Sequence, residues 1–121
     1  MGKKIVHVEF PAQDLERGQK FWEGVGGWDV KDSGMPDMQY LMWQQDDQGG
    51  GIYSMEGQSG TKVYFGSDDI DADIGKVREL GGEAEDKQPI PGVGWFSGCK
   101  DSEGNEFSLF QGDESAPPPA S

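Results

Sequence analysis

Apolar and polar positions alternate and then regroup in a fixed order along this chain. Lys4 to Phe10 is β-branched and partly alternating, and Pro11 stops it, which predicts a strand. Asp14 then starts a helix reaching about Gly24, with Leu15, Gly18, Trp22 and Val25 at helical spacing on one face and Gly26-Gly27 as its stop. A short strand is expected near Trp28 to Lys31. Two longer ones, Gln39 to Gln45 and Gly51 to Met55, should flank an Asp-Asp-Gln-Gly-Gly turn. The order then recurs. Thr61 to Phe65 reads as a strand, and Asp69 caps a helix with Ile70, Ile74, Val77 and Leu80 inward. After Gly81-Gly82, strands follow near Glu83–Lys87, Gly94–Lys100 and Glu106–Gln111.

The recurrence is a duplication at an offset of 55 residues without a gap. Val8 falls on Val63, Phe10 on Phe65, Asp14 on Asp69 and Gly26-Gly27 on Gly81-Gly82. Pro36 falls on Pro91, Asp46 on Asp101, Gly49 on Gly104 and Gly57 on Gly112. Most of these residues set backbone geometry, so what they preserve is a fold. The expected architecture is α+β: one domain over residues 1–112, built from two βαβββ units (about 4–57 and 61–112). Their half-open curved sheets should share a concave cavity near a pseudo-two-fold axis. The tail from Asp113 to Ser121 has little to bury and is expected to be disordered.

Strand parity divides the residues of each sheet between two faces. Val6, Val8, Phe10, Val63, Phe65, Ile52, Ser54, Phe107 and Leu109 should face the helices. The opposite face collects His7, Glu9, Tyr53, Met55, Lys62, Tyr64, Ser108 and Phe110. Aromatic rings with a few polar groups suit a small-molecule cavity. If these residues were merely core, His7, Glu9 and Lys62 would each need a partner.

Composition removes several alternatives. With 23 acidic and 10 basic residues the net charge is −13, so no cationic surface is available for nucleic acid. No apolar run is long enough for a membrane span, and no secretory h-region precedes the first strand. The one cysteine, Cys99, excludes an intramolecular disulfide framework and fits a cytoplasmic protein. At 33% apolar residues the core is thin, which favours a homodimer. The acidity serves solubility, or else it forms a groove that concentrates a cationic ligand.

Three stretches carry a resemblance: His7–Trp22, Ile90–Phe96 and Lys100–Gln111, the last with its Asp-x-x-Gly-Asn turn. Together they resemble the vicinal oxygen chelate superfamily of glyoxalases, bleomycin-resistance proteins and extradiol dioxygenases. The resemblance implies a divalent metal held by one residue from the first and last strand of each unit. Those positions here are His7, Tyr53, Lys62 and Ser108, and of these only His7 has a metal ligand's chemistry. The reading that follows is a ligand-binding protein without a metal cofactor. Tyr53, Tyr64, Trp95 and Phe110 would stack on a small molecule, and His7, Glu9, Lys62 and Ser108 would orient it. Trp95 enters through the resemblance of its loop to the family's cavity rim. The alternative is a lyase, isomerase or dioxygenase with one divalent ion on His7, Glu9 and Glu106. A third possibility is a dimeric interaction module with no ligand.

Overall fold

A computed structural model describes residues 2–32, 39–54 and 60–118. Pro36, Met55 and Gly57, which the duplication and parity arguments used, lie outside the described residues, as does the end of the tail. The fold is α+β, and the chain divides into two compact units. One comprises Val6–Lys62. The other joins Met1–Ile5 to Val63–Ser121. The division falls close to the boundary between the repeats.

In the Val6–Lys62 unit, strand β1 (Ile5–Pro11) leads to helix α1 (Leu15–Gly26), then β2 (Lys31–Asp32), β3 (Tyr40–Gln45) and β4 (Gln48–Tyr53). Asp14 caps α1 by accepting the N–H of Arg17, and Gly27 closes it in the left-handed conformation at φ 72°. Strands run in the order β2-β3-β4-β1, with β1 parallel to β4 and Val8 opposite Gly50. The β3–β4 hairpin is tighter than the sequence suggested. Its loop is only Asp46-Asp47, with Asp46 in the left-handed region, so Gln48, Gly49 and Gly50 join Gly51 as strand residues. Behind the sheet, Val30, Trp43 and Ile52 form the buried core with Val8, Phe10, Leu15, Trp22 and Trp28 packed on it. Trp28 stacks on Trp43 at 3.9 Å and Phe10 on Trp22 at 4.1 Å. Val25, expected inward, is 70% exposed because it sits in the last turn, past the edge of the sheet-facing stripe.

In the second unit, β5 (Lys62–Gly66) precedes α2 (Ile70–Glu79), β6 (Glu83–Ala84), β7 (Gln88–Ile90), β8 (Gly94–Lys100) and β9 (Glu106–Gly112). Asp69 caps α2 through the N–H of Ala72, repeating the role of Asp14. The order is β5-β9-β8-β6, and β7 also pairs with β8. Ile70, Ile74, Cys99 and Leu109 make this unit's core, joined by Phe65, Val77, Ala84, Trp95 and Phe107. Leu80, expected on the inner face, is the C-cap residue and 66% exposed. β7 was not foreseen because Pro89 argues against a strand, yet a proline is tolerated on an edge.

The tail also departs from expectation. Asp113 N–H bonds to Val93, Gly92 N–H bonds to Ala116 carbonyl, and Ala116 is 6% exposed. The segment is therefore packed as far as Ala116, held by backbone hydrogen bonds that composition does not reveal.

Candidate functional site

Pairing register establishes which side chains share a face. Glu9 is opposite Gly51, and Tyr40 is opposite Tyr53, so all of these point away from the helix-side core of their unit. Tyr40 reaches from β3 across β4 to β1. It can do so because Gly51 has no side chain: a Cβ there would stand 2.2 Å from the phenol oxygen of Tyr40. The Tyr40 hydroxyl donates to Glu9 Oε2 at 2.6 Å and lies 2.6 Å from His7 Nε2. His7 Nε2 and Glu9 Oε2 are 3.4 Å apart, and both side chains are largely buried, at 24% and 14% exposed.

The proton inventory of this trio is informative. A tyrosine carries one hydroxyl proton, and here it goes to the carboxylate. His7 then donates its own Nε2–H to the phenol oxygen. The proton on Nε2 is therefore placed by Glu9 acting through Tyr40. Parity correctly brought His7 and Glu9 to one face but did not single out Tyr40. The signal available was Gly51, the strand glycine that its ring crosses.

The other two candidates in this unit also meet. Lys62 Nζ lies 5.8 Å from the centre of the Tyr53 ring, within cation–π range. Tyr53 is 7% exposed and donates its hydroxyl to the Gly60 carbonyl at 3.0 Å. That phenol proton is committed, so Tyr53 is poorly prepared to serve as an ionised ligand.

The second unit places Tyr64 opposite Ser108, and Phe110 opposite both Gly66 and Phe96. Tyr64, Ser108 and Phe110 thus share the face opposite Phe65, Leu109 and α2, as parity predicted. Trp95 does not join them. Its ring packs on the α2 side with Ile74 and Leu109 in its cluster. Lys87 Nζ sits 4.7 Å from its ring centre, and its indole N–H donates to Asp113 at 3.0 Å. The residue next to it, Phe96, pairs with Phe110 and shares its face.

The ionisable groups shifted from their ordinary values lie elsewhere. The Ser115 hydroxyl and then the Trp95 indole N–H hold the Asp113 carboxyl below the usual range. The Asn105 side chain, followed by the backbone N–H groups of Asn105 and Glu103, does the same for Asp101 in the β8–β9 turn. Burial raises the Cys99 thiol, so it behaves as a packing residue.

These residues do not fit a divalent ion of the kind the resemblance implies. Such a site needs several donors converging on one point. Among the described residues no three His, Cys, Asp or Glu side chains do so. His7 and Glu9 are the pair that meets, and both are engaged with Tyr40. Glu106, the third donor of the alternative set, is exposed at the start of β9 opposite Lys100.

The chain belongs to the glyoxalase-like domain family, whose model matches residues 6–110. A glyoxylase-like domain-containing protein of Didymella fabae is 30% identical over 117 residues, spanning 88% of this chain and 91% of that protein. Among solved structures, a glyoxalase/bleomycin resistance protein/dioxygenase superfamily member from Vibrio splendidus superposes with TM-score 0.64 at 19% identity, covering 91% of this chain and 99% of that one. A methylmalonyl-CoA epimerase variant from Streptomyces coelicolor, in complex with 2-nitronate-propionyl-CoA, gives TM-score 0.66 at 19% identity over 95% and 98% of the two chains. At these identities the two structures establish the fold alone. Among the described residues no helix is long and apolar enough to cross a membrane.

Proposed function

We propose that this chain is a small-molecule binding protein of the glyoxalase-like family that works without a divalent metal cofactor. The observation that carries the reading is the occupation of the first-strand position by a hydrogen-bonded set. His7 is held by Tyr40 and Glu9, and Lys62 brings a cation over Tyr53 on the same unit. A hydrogen-bonding surface of this kind orients a ligand's polar groups, and the aromatic residues supply contact area. His7, Glu9, Tyr40, Tyr53 and Lys62 are assigned to it in the Val6–Lys62 unit; Tyr64, Ser108 and Phe110 line a face of the other unit. Trp95 is left out, since its indole N–H and one ring face are already engaged. The net charge of −13 weighs toward a neutral or cationic ligand. A cytoplasmic homodimer belongs to the same proposal, supported by the thin apolar fraction and the lone buried thiol.

The metal-dependent alternative keeps one observation in its favour, the 3.4 Å approach of His7 to Glu9. Binding measurements separate the two. Titrating a library of aromatic and amine-bearing metabolites into 15N-labelled protein containing EDTA should give saturable shifts at residues 7, 9, 40, 53 and 62. A library that binds only after EDTA is replaced by a divalent ion would favour the alternative.

A further inference from the structure

The unit containing Val63–Ser121 carries an unassigned carboxylate over Gly98, on a strand face that also holds aromatic residues. We infer that Glu85, with Phe96 and Phe110 further along the same strand face, forms a subsite for an organic ammonium group carried on an aromatic body. The inference rests on the small-molecule reading above and names the class of ligand.

Register supplies the first part. Directly paired strand residues share a face. Gly98 pairs with Ser108, Phe96 with Phe110, and Tyr64 with Ser108. Tyr64, Phe96, Gly98, Ser108 and Phe110 therefore line one surface, away from the α2 core. Ala84 pairs with Cys99, and the Glu85 N–H donates to the Gly98 carbonyl at 2.9 Å. Glu85 thus extends β6 by one residue and directs its side chain to the Gly98 face.

The glycines supply the second part. A Cβ on Gly98 would stand 3.4 Å from Glu85 Oε2 and 3.7 Å from its Cδ, so the carboxylate lies over the gap left by the missing side chain. The Phe110 ring leans the other way along the sheet, with Cζ 3.0 Å from where a Gly94 Cβ would be. Three strand residues separate these glycines, a span of roughly 13 Å at the usual rise. A negative group thus stands at one end and a ring at the other, with Phe96 between them. Among the described residues the Glu85 carboxylate makes no hydrogen bond or ion pair.

The chemistry follows from these groups. A carboxylate accepts hydrogen bonds from an ammonium and offsets its charge, and aromatic faces attract cations as well as apolar bodies. A chain at −13 raises the local concentration of such ligands. A neutral or anionic head group would gain nothing from Glu85.

The test is calorimetric titration of the full chain with phenethylamine and with phenethyl alcohol, its neutral counterpart, at fixed low ionic strength. Wild type is expected to bind the amine at least tenfold more tightly than the alcohol. Glu85→Gln should reduce that preference to within twofold, and its backbone bonds to Gly98 and Ser97 are untouched by the change. Phe96→Ala should weaken both ligands. Equal affinity for amine and alcohol, with no effect of Glu85→Gln, would overturn the subsite and leave the small-molecule reading standing. Absence of saturable amine binding at millimolar concentration would also overturn it, whereas failure of the whole metabolite library would remove the broader reading.

Discussion

Tyr40 is the residue on which the candidate site turns. Its hydroxyl joins an imidazole to a carboxylate, and its path across the sheet exists because position 51 is glycine. Tyr40→Phe would keep the ring over Gly51 but leave Glu9 without its charge-assisted donor. Hydrogen bonds to charged groups are worth about 1.5–3 kcal/mol, so urea unfolding should show a loss of roughly 1–3 kcal/mol. The same variant supplies a sharper readout. His7 is the chain's sole histidine, so its ring nitrogens give one set of 15N shifts. Wild type should display the Nε2–H tautomer, and Tyr40→Phe should lose that bias. An Nδ1–H tautomer in wild type would refute the bridge. From sequence, parity brought His7 and Glu9 together. It could not locate Tyr40, because the alignment of β3 against β1 depends on a two-residue turn whose length the Asp-Asp-Gln-Gly-Gly run obscures.

At the level of elements, helix starts were the most legible features. Asp14 and Asp69 cap as predicted, since capping depends on one side chain and the N–H three residues on. Helix ends were less so: Val25 and Leu80 fit the apolar spacing, yet the last turn and the cap lie beyond the sheet they would cover. The C-terminal segment was misjudged because its anchors are tertiary. Asp113 accepts from Trp95, and Ala116 bonds to Gly92. This latch has a pH signature. The folded Asp113 carboxyl lies below its ordinary value, so its stabilisation is present above about pH 4 and is lost as pH falls through the lower folded value. Trp95 fluorescence should therefore shift as pH drops below about 4, and Asp113→Asn should abolish this component of the shift. An unchanged acid transition in Asp113→Asn would show that the latch does not depend on this carboxylate.

On the scale of the whole molecule, the duplication and the family were readable from the chain, and residues 6–110 match the glyoxalase-like domain. Backbone-setting residues recur because each unit must build the same turns and caps. The candidate site was only partly readable, because its pairwise contacts, such as Lys62 with Tyr53, are encoded by no spacing rule. The acidity is likewise a property of the whole chain, and Glu85 gives one carboxylate of that total a specific place.

The measurement that bears most directly on this account is elemental analysis of protein purified without chelator, compared with a His7→Ala variant. The account predicts transition-metal content well below one equivalent per chain, unchanged by the substitution. Near-stoichiometric nickel, zinc, iron or manganese in wild type, lost in His7→Ala, would contradict it.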